Sequence, residues 1–161
     1  MNRKYFSKSS SVLLFLLISL SINLPTGFSE EKEQKASDEA QKTLYQRLGG
    51  YDAVAAVVGE LFARMIPNQQ LGKYFIGLSD DSKKRVQQLT VDFVCSATGG
   101  PCIYTGRDMK TSHEGLGITD SDWDVSVNIL VGILDEFKVP EQEKKELLGI
   151  VSGLKPSIVE K

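Results

Sequence analysis

A chain of 161 residues with 41% hydrophobic content is long enough for one compact domain with its own core. Nineteen basic against 21 acidic residues give a net charge of −2, and no basic stripe is present, which argues against nucleic acid as a partner. With one histidine and two cysteines, the chain has no ligand set spaced for structural zinc.

Residues 1–29 read as a signal peptide. Arg3, Lys4 and Lys8 give a positive start, Ser11 to Leu24 form an uncharged and mostly apolar run, and Gly27-Phe28-Ser29 puts small residues where a signal peptidase reads. The apolar run, about 14 residues, is short for a membrane span of roughly 20. An uncleaved N-terminal anchor is the alternative. The expectation is export to the periplasm or the outside, with cleavage near Ser29. Removing the leader takes away three positive charges and no negative one, so the net charge moves from −2 to −5. Residues 30–42 are dominated by Glu, Lys, Gln, Ser and Ala; they can bury little apolar surface and read as a flexible linker. Residues 43–161 are then the folded domain.

Within that domain, Leu44 to Leu48 is a helical turn or two, stopped by Gly49-Gly50. Asp52 is placed to cap the next helix. Its apolar positions, Val54, Val57, Val58, Leu61, Phe62, Met65 and Ile66, follow one helical face. Pro67-Asn68 ends it, and Leu71, Tyr74 and Phe75 fall in a short connection that must bury two aromatic rings. A third helix is expected from near Ser82, with Val86, Leu89, Thr90, Phe93, Val94 and Ala97 on one face. Gly99-Gly100-Pro101 terminates it, because proline lacks an amide hydrogen and disfavours helix at the residue before it.

Thr119 and Asp122 form a capping-box pattern ahead of Trp123, Val127, Leu130, Ile133, Leu134 and Phe137. Pro140-Glu141 restarts the chain, and Leu147, Leu148, Ile150, Val151 and Leu154 carry the last stripe, up to Pro156. No segment alternates with period two for long enough to make a strand. The fold class is all-α, with about five principal helices. Trp123 and Tyr104 read as packing residues, and Asp80-Asp81 and Glu143-Lys144 as solvated charges. Cys95 and Cys102, with six residues between them, form a disulfide in an oxidising compartment or stay as buried thiols; both readings stand. Neither lies in a C-x-x-C-H sequence, so covalent c-type haem attachment is unsupported.

The only histidine, His113, follows a glycine-rich loop and lies four residues after Met109, on the same helical face. Taken alone, a single His has a bland reading, an imidazole satisfied by a backbone carbonyl. One His with several faces rich in Phe, Val and Leu also suits haem, which needs one strong protein ligand, apolar contact, and cations near its propionates.

Leu44-Tyr45-Gln46-Arg47-Leu48-Gly49-Gly50, the helix ending Leu61-Phe62-Ala63-Arg64, Tyr74-Phe75, and Thr98-Gly99-Gly100 through Tyr104-Thr105-Gly106-Arg107-Asp108-Met109 to His113 resemble the group I truncated haemoglobins. The resemblance spans residues 43–155. It implies a truncated globin, a two-over-two helical sandwich around haem b, with His113 as proximal iron ligand and Met109 lining the proximal side. It puts Phe75 against the haem face and Phe62, Val86 and Thr90 on the distal side, with Phe93 on the same stripe. Arg107 and Lys110 are candidate propionate partners. Many relatives carry Tyr where Phe62 stands, and often Gln where Thr90 stands, both donors to the bound gas. Here only Thr90 is left to donate, with Gln87 or Gln88 as weaker helpers. A hydrogen bond to a partly charged ligand is worth about 1.5–3 kcal/mol, so faster oxygen release is expected.

The leading expectation is therefore reversible binding of oxygen or another diatomic gas such as nitric oxide. Nitric oxide dioxygenation is an alternative that needs an external reductase. Peroxidase chemistry is disfavoured, because no second His exists to act as distal acid–base group. A cofactor-free secreted helical interaction module is the third reading.

Overall fold

The computed structural model describes residues 41–161. The expected leader, residues 1–29, and linker, residues 30–42, lie outside the described residues apart from Gln41 and Lys42. Six α-helices and one 3-10 turn are present among the described residues, and no strand: α1 (Leu44–Arg47), α2 (Gly50–Met65), the turn Gly72–Phe75, α3 (Asp80–Ala97), α4 (Met109–His113), α5 (Asp120–Glu136) and α6 (Glu141–Ile158). No described helix is long and apolar enough to cross a membrane.

Local chemistry sets the helix starts. Thr43 and Gln46 close a capping box on α1. Gly49, at φ +99°, is the N-cap of α2, a conformation that L side chains rarely adopt. Asp52 therefore does not cap α2 as expected; it sits in the first turn, where its charge complements the helix dipole. α3 begins at Asp80 rather than near Ser82, because the Ser79 hydroxyl accepts from the Ser82 amide and caps the helix there. The capping box of Thr119 and Asp122 on α5 forms as predicted.

Two helix pairs are layered. α2 packs on both α3 and α5, α5 on α6, and α1 bridges α2 and α6. Val54, Val58 and Phe62 of α2 meet Val91 of α3 in one core, with Phe75 and Val94 against it. Leu44, Leu130, Leu134 and Leu147 form the second core. Each buried side chain of this size contributes about 1.5–3 kcal/mol.

Three other expectations are corrected. Phe137 lies beyond the last turn of α5, at its C-cap, and its ring is exposed. α6 runs through Pro156 to Ile158, because proline's fixed φ is helical and only one backbone bond is forfeited. Glu143 and Lys144 are not solvated charges: Glu143 is buried and pairs with Arg47 at 3.6 Å, while Lys144 pairs with Asp135 at 2.6 Å.

Candidate functional site

The loop ahead of His113 is tied back to α3 twice. Cys95 and Cys102 form a disulfide, Cα atoms 5.8 Å apart, which decides between the two readings of the pair. The Phe93 ring meets Tyr104 edge-on, with centroids 5.3 Å apart. Tyr104 Oη then donates to the Arg107 carbonyl at 2.5 Å. A side chain at position 106 would overlap the Tyr104 ring, so Gly106 is what lets the loop fold over it.

Asp108 caps α4. Its carboxylate accepts from the Thr111 amide at 2.9 Å and the Thr111 hydroxyl at 2.7 Å, and the Thr111 amide bond is the chief reason its carboxyl titrates below the usual carboxylate range. After one turn the helix stops at His113, since Glu114 is extended and Gly115 and Gly117 take positive φ. Glu160 holds this exit, accepting from the amides of Gly115 at 2.6 Å and Gly117 at 2.9 Å. Glu160 and Lys161 amides also donate to the Ile118 carbonyl. The short helix docks on α6 and does not pack closely against α3.

The His113 ring is fixed by its own helix. Nδ1 lies 2.7 Å from the Met109 carbonyl oxygen. A carbonyl can only accept, so Nδ1 carries the proton and Nε2 keeps its lone pair. Nε2 has no hydrogen-bond partner among the described residues. His113 and Met109 are both half-buried.

On the other side, Phe62 is buried and meets Phe75 edge-on at 5.8 Å between centroids. Val86 is 40% exposed. The Thr90 hydroxyl donates to the Val86 carbonyl at 2.9 Å, so the donor expected to face a ligand is spent within the helix. Gln88 is no helper either, since its amide donates to Tyr51 Oη at 2.8 Å and Asp92 Oδ1 at 2.9 Å. The Gln87 amide nitrogen turns toward Gly59 of α2. Arg107 is exposed and makes no ion pair among the described residues.

Exposed large apolar residues cluster along the chain. Of the seven, Ile76, Leu78, Val86, Ile103 and Leu116 fall within residues 76–116, the stretch containing α3 and α4. No group of three or more His, Cys, Asp or Glu side chains among the described residues can hold a metal ion. One uncommitted imidazole nitrogen plus exposed apolar surface fits a flat apolar group whose metal takes a single protein ligand, as haem does.

Sequence reasoning missed two parts of this frame. Asp122 was legible only as a capping residue, yet it is also bonded by Gln70, Lys73 and Tyr74. Glu160 gave no signal, because its partners are backbone amides more than 40 positions away.

Comparison with known proteins gives a consistent picture. The family described as bacterial-like globin matches residues 43–160. Group 1 truncated hemoglobin GlbN of Mycolicibacterium paratuberculosis is 34% identical over 116 residues, covering 72% of this chain and 83% of the relative. Its counterpart in Synechocystis sp. is 31% identical over 115 residues, covering 69% and 90%. Among solved structures, truncated hemoglobin from Tetrahymena pyriformis in the Fe(III) form superposes with a TM-score of 0.68 at 22% identity, covering 74% of this chain and 100% of that one. Chlamydomonas reinhardtii THB1 superposes with a TM-score of 0.63 at 29% identity, covering 74% and 98%. The truncated two-over-two globin fold expected from the sequence is the fold observed.

Proposed function

Because the chain belongs to the bacterial-like globin family, we propose that it holds haem b on His113 and reversibly binds a diatomic gas, oxygen or nitric oxide. The observation that carries this reading is the His113 ring, whose Nδ1 proton is committed to the Met109 carbonyl while Nε2 keeps its lone pair. Bound haem supplies an iron with one coordination position left for the gas.

The chain's own residues do the rest. Asp108 and Glu160 fix both ends of the helix that presents His113, and Met109 lines the proximal side. Phe62, Phe75 and Val86 form an apolar distal wall that keeps water away, and Phe93, held by Tyr104, continues it. Arg107 and Lys110, both exposed beside the start of α4, are the cations for the propionates. With Thr90 back-bonded, Phe62, Phe75, Val86 and Thr90 offer the gas no donor, so gas binding rests on the iron and on apolar contact. Turnover as a dioxygenase draws on a reductase outside this chain, so binding is the reading adopted. Export with loss of residues 1–29 completes the proposal; the Cys95–Cys102 disulfide supports it, since such bonds persist in oxidising compartments.

The test is a haemin titration of the haem-free protein followed by absorbance. A Soret band that saturates at one haem per chain supports the reading. A protein that stays colourless with haem in excess supports a cofactor-free interaction module instead.

A further inference from the structure

Asp122 is a buried carboxylate that takes no part in holding haem or gas. It is 2% exposed, in the first turn of α5. It accepts from the Thr119 amide at 3.1 Å and hydroxyl at 2.8 Å, from Tyr74 Oη at 2.6 Å, from Gln70 Nε2 at 2.9 Å and from Lys73 Nζ at 3.3 Å. The Thr119 amide bond, with the Asp122 amide donating to Thr119 Oγ1 at 3.1 Å, completes the capping box. The three donors other than Thr119 come from one short stretch of chain, and it ends at Phe75.

Apart from the packing of Phe75 on Phe62 and the backbone bonds of the turn, that stretch has little else to fix its far end. Leu71 is buried and pins the entry, and Asn68 Oδ1 accepts from the Gln70 and Leu71 amides. None of Gly72 to Phe75 is fully buried, the turn has no side-chain cap, and Ile76 beyond it is exposed. Tyr74 is therefore the anchor next to Phe75, and its hydroxyl is held by Asp122. A carboxylate kept out of water needs its donors, so the bond is costly to lose.

We propose that Asp122 is a positioning residue for the distal wall: through Tyr74 it sets where the Phe75 ring stands against Phe62 and against haem. This rests on the haem reading above. Asp122 touches neither haem nor gas, and its effect passes through the Tyr74 hydroxyl.

The test uses the full chain, loaded with haem, reduced and saturated with carbon monoxide, with the carbon monoxide stretching band read by infrared spectroscopy. Amide hydrogen exchange of residues 72–75 is followed in the haem-free chain. Asp122→Asn keeps the shape but has one acceptor oxygen instead of two, and Tyr74→Phe removes only the hydroxyl. Both variants are expected to shift and broaden the band and to speed exchange at 72–75 by roughly one to two decades, the size of one lost bond to a charged group. The double variant should add little to Asp122→Asn, because that change already breaks the Tyr74 bond. Leu147→Ala, which opens the core between α1, α5 and α6, should lower thermal stability and leave the band in place. If Asp122→Asn does not fold, Tyr74→Phe carries the test. A wild-type band in the haem-loaded Tyr74 and Asp122 variants, or an equal shift in Leu147→Ala, overturns the positioning role while leaving the haem reading intact. A wild-type chain that takes up no haem overturns both.

Discussion

The Thr90 hydroxyl donates to the Val86 carbonyl at 2.9 Å, one turn back along α3. A hydroxyl has one proton, so this bond takes the Thr90 donor away from a distal face that Phe62 and Val86 already leave apolar. Phe62→Tyr restores a donor in place of a buried ring. The bond it offers is worth about 1.5–3 kcal/mol, so oxygen dissociation should slow by roughly one to two decades. Stopped-flow displacement of oxygen by carbon monoxide reads this directly, and an unchanged rate would contradict the distal assignment.

Asp122 also makes an acid-stability prediction. The Tyr74 hydroxyl, followed by Gln70 and Thr119, holds its carboxyl well below the ordinary carboxylate range. A depressed folded-state value means the contribution to stability is complete above the unfolded value, about 3.9, and is lost as pH falls through and below it. The stability gap between wild type and Asp122→Asn should therefore narrow between pH 5 and pH 3, as followed by urea denaturation. A gap that widens toward acid would show the sign to be wrong.

The disulfide between Cys95 and Cys102 closes a short loop. On chain entropy a loop of this length is worth about 2–3 kcal/mol. Replacing both cysteines by serine should lower the melting temperature by roughly 5–15 °C. Because the loop leads to α4, haem loss should also quicken in the variant. A melting temperature equal to that of the wild type would mean the bond constrains nothing that matters.

Glu160 grips the exit from the His113 helix through the amides of Gly115 and Gly117. Glu160→Ala frees both. Their amide exchange should accelerate several-fold, with the α5 core unaffected, because the bonds are local and exposed. Exchange that is unchanged at Gly115 and Gly117 would rule out the clamp.

Much of this was legible in the sequence. The stripe from Val54 to Ile66 and the one from Leu130 to Leu134 fixed the long helices, since a 3.6-residue period survives any detail of packing. The string ending in His113 pointed to the family that matches residues 43–160. Helix starts were off by two residues where a local cap overrode the apolar pattern, as Ser79 does for α3. Side-chain commitments were not legible. Thr90 and Gln88 read as ligand-facing donors, yet one bonds backwards along its helix and the other bonds Tyr51. Glu143 read as solvated because nothing in sequence brings Arg47 to it.

The central claim is that His113 Nε2 is the one protein ligand to haem iron. The most direct measurement is the ferric and ferrous absorbance of haem-loaded His113→Gly with and without added imidazole. The expected result is a Soret band that is lost or displaced in the variant and restored by imidazole, which supplies the missing nitrogen in the space the side chain leaves. A variant whose spectra match the wild type without imidazole would contradict it.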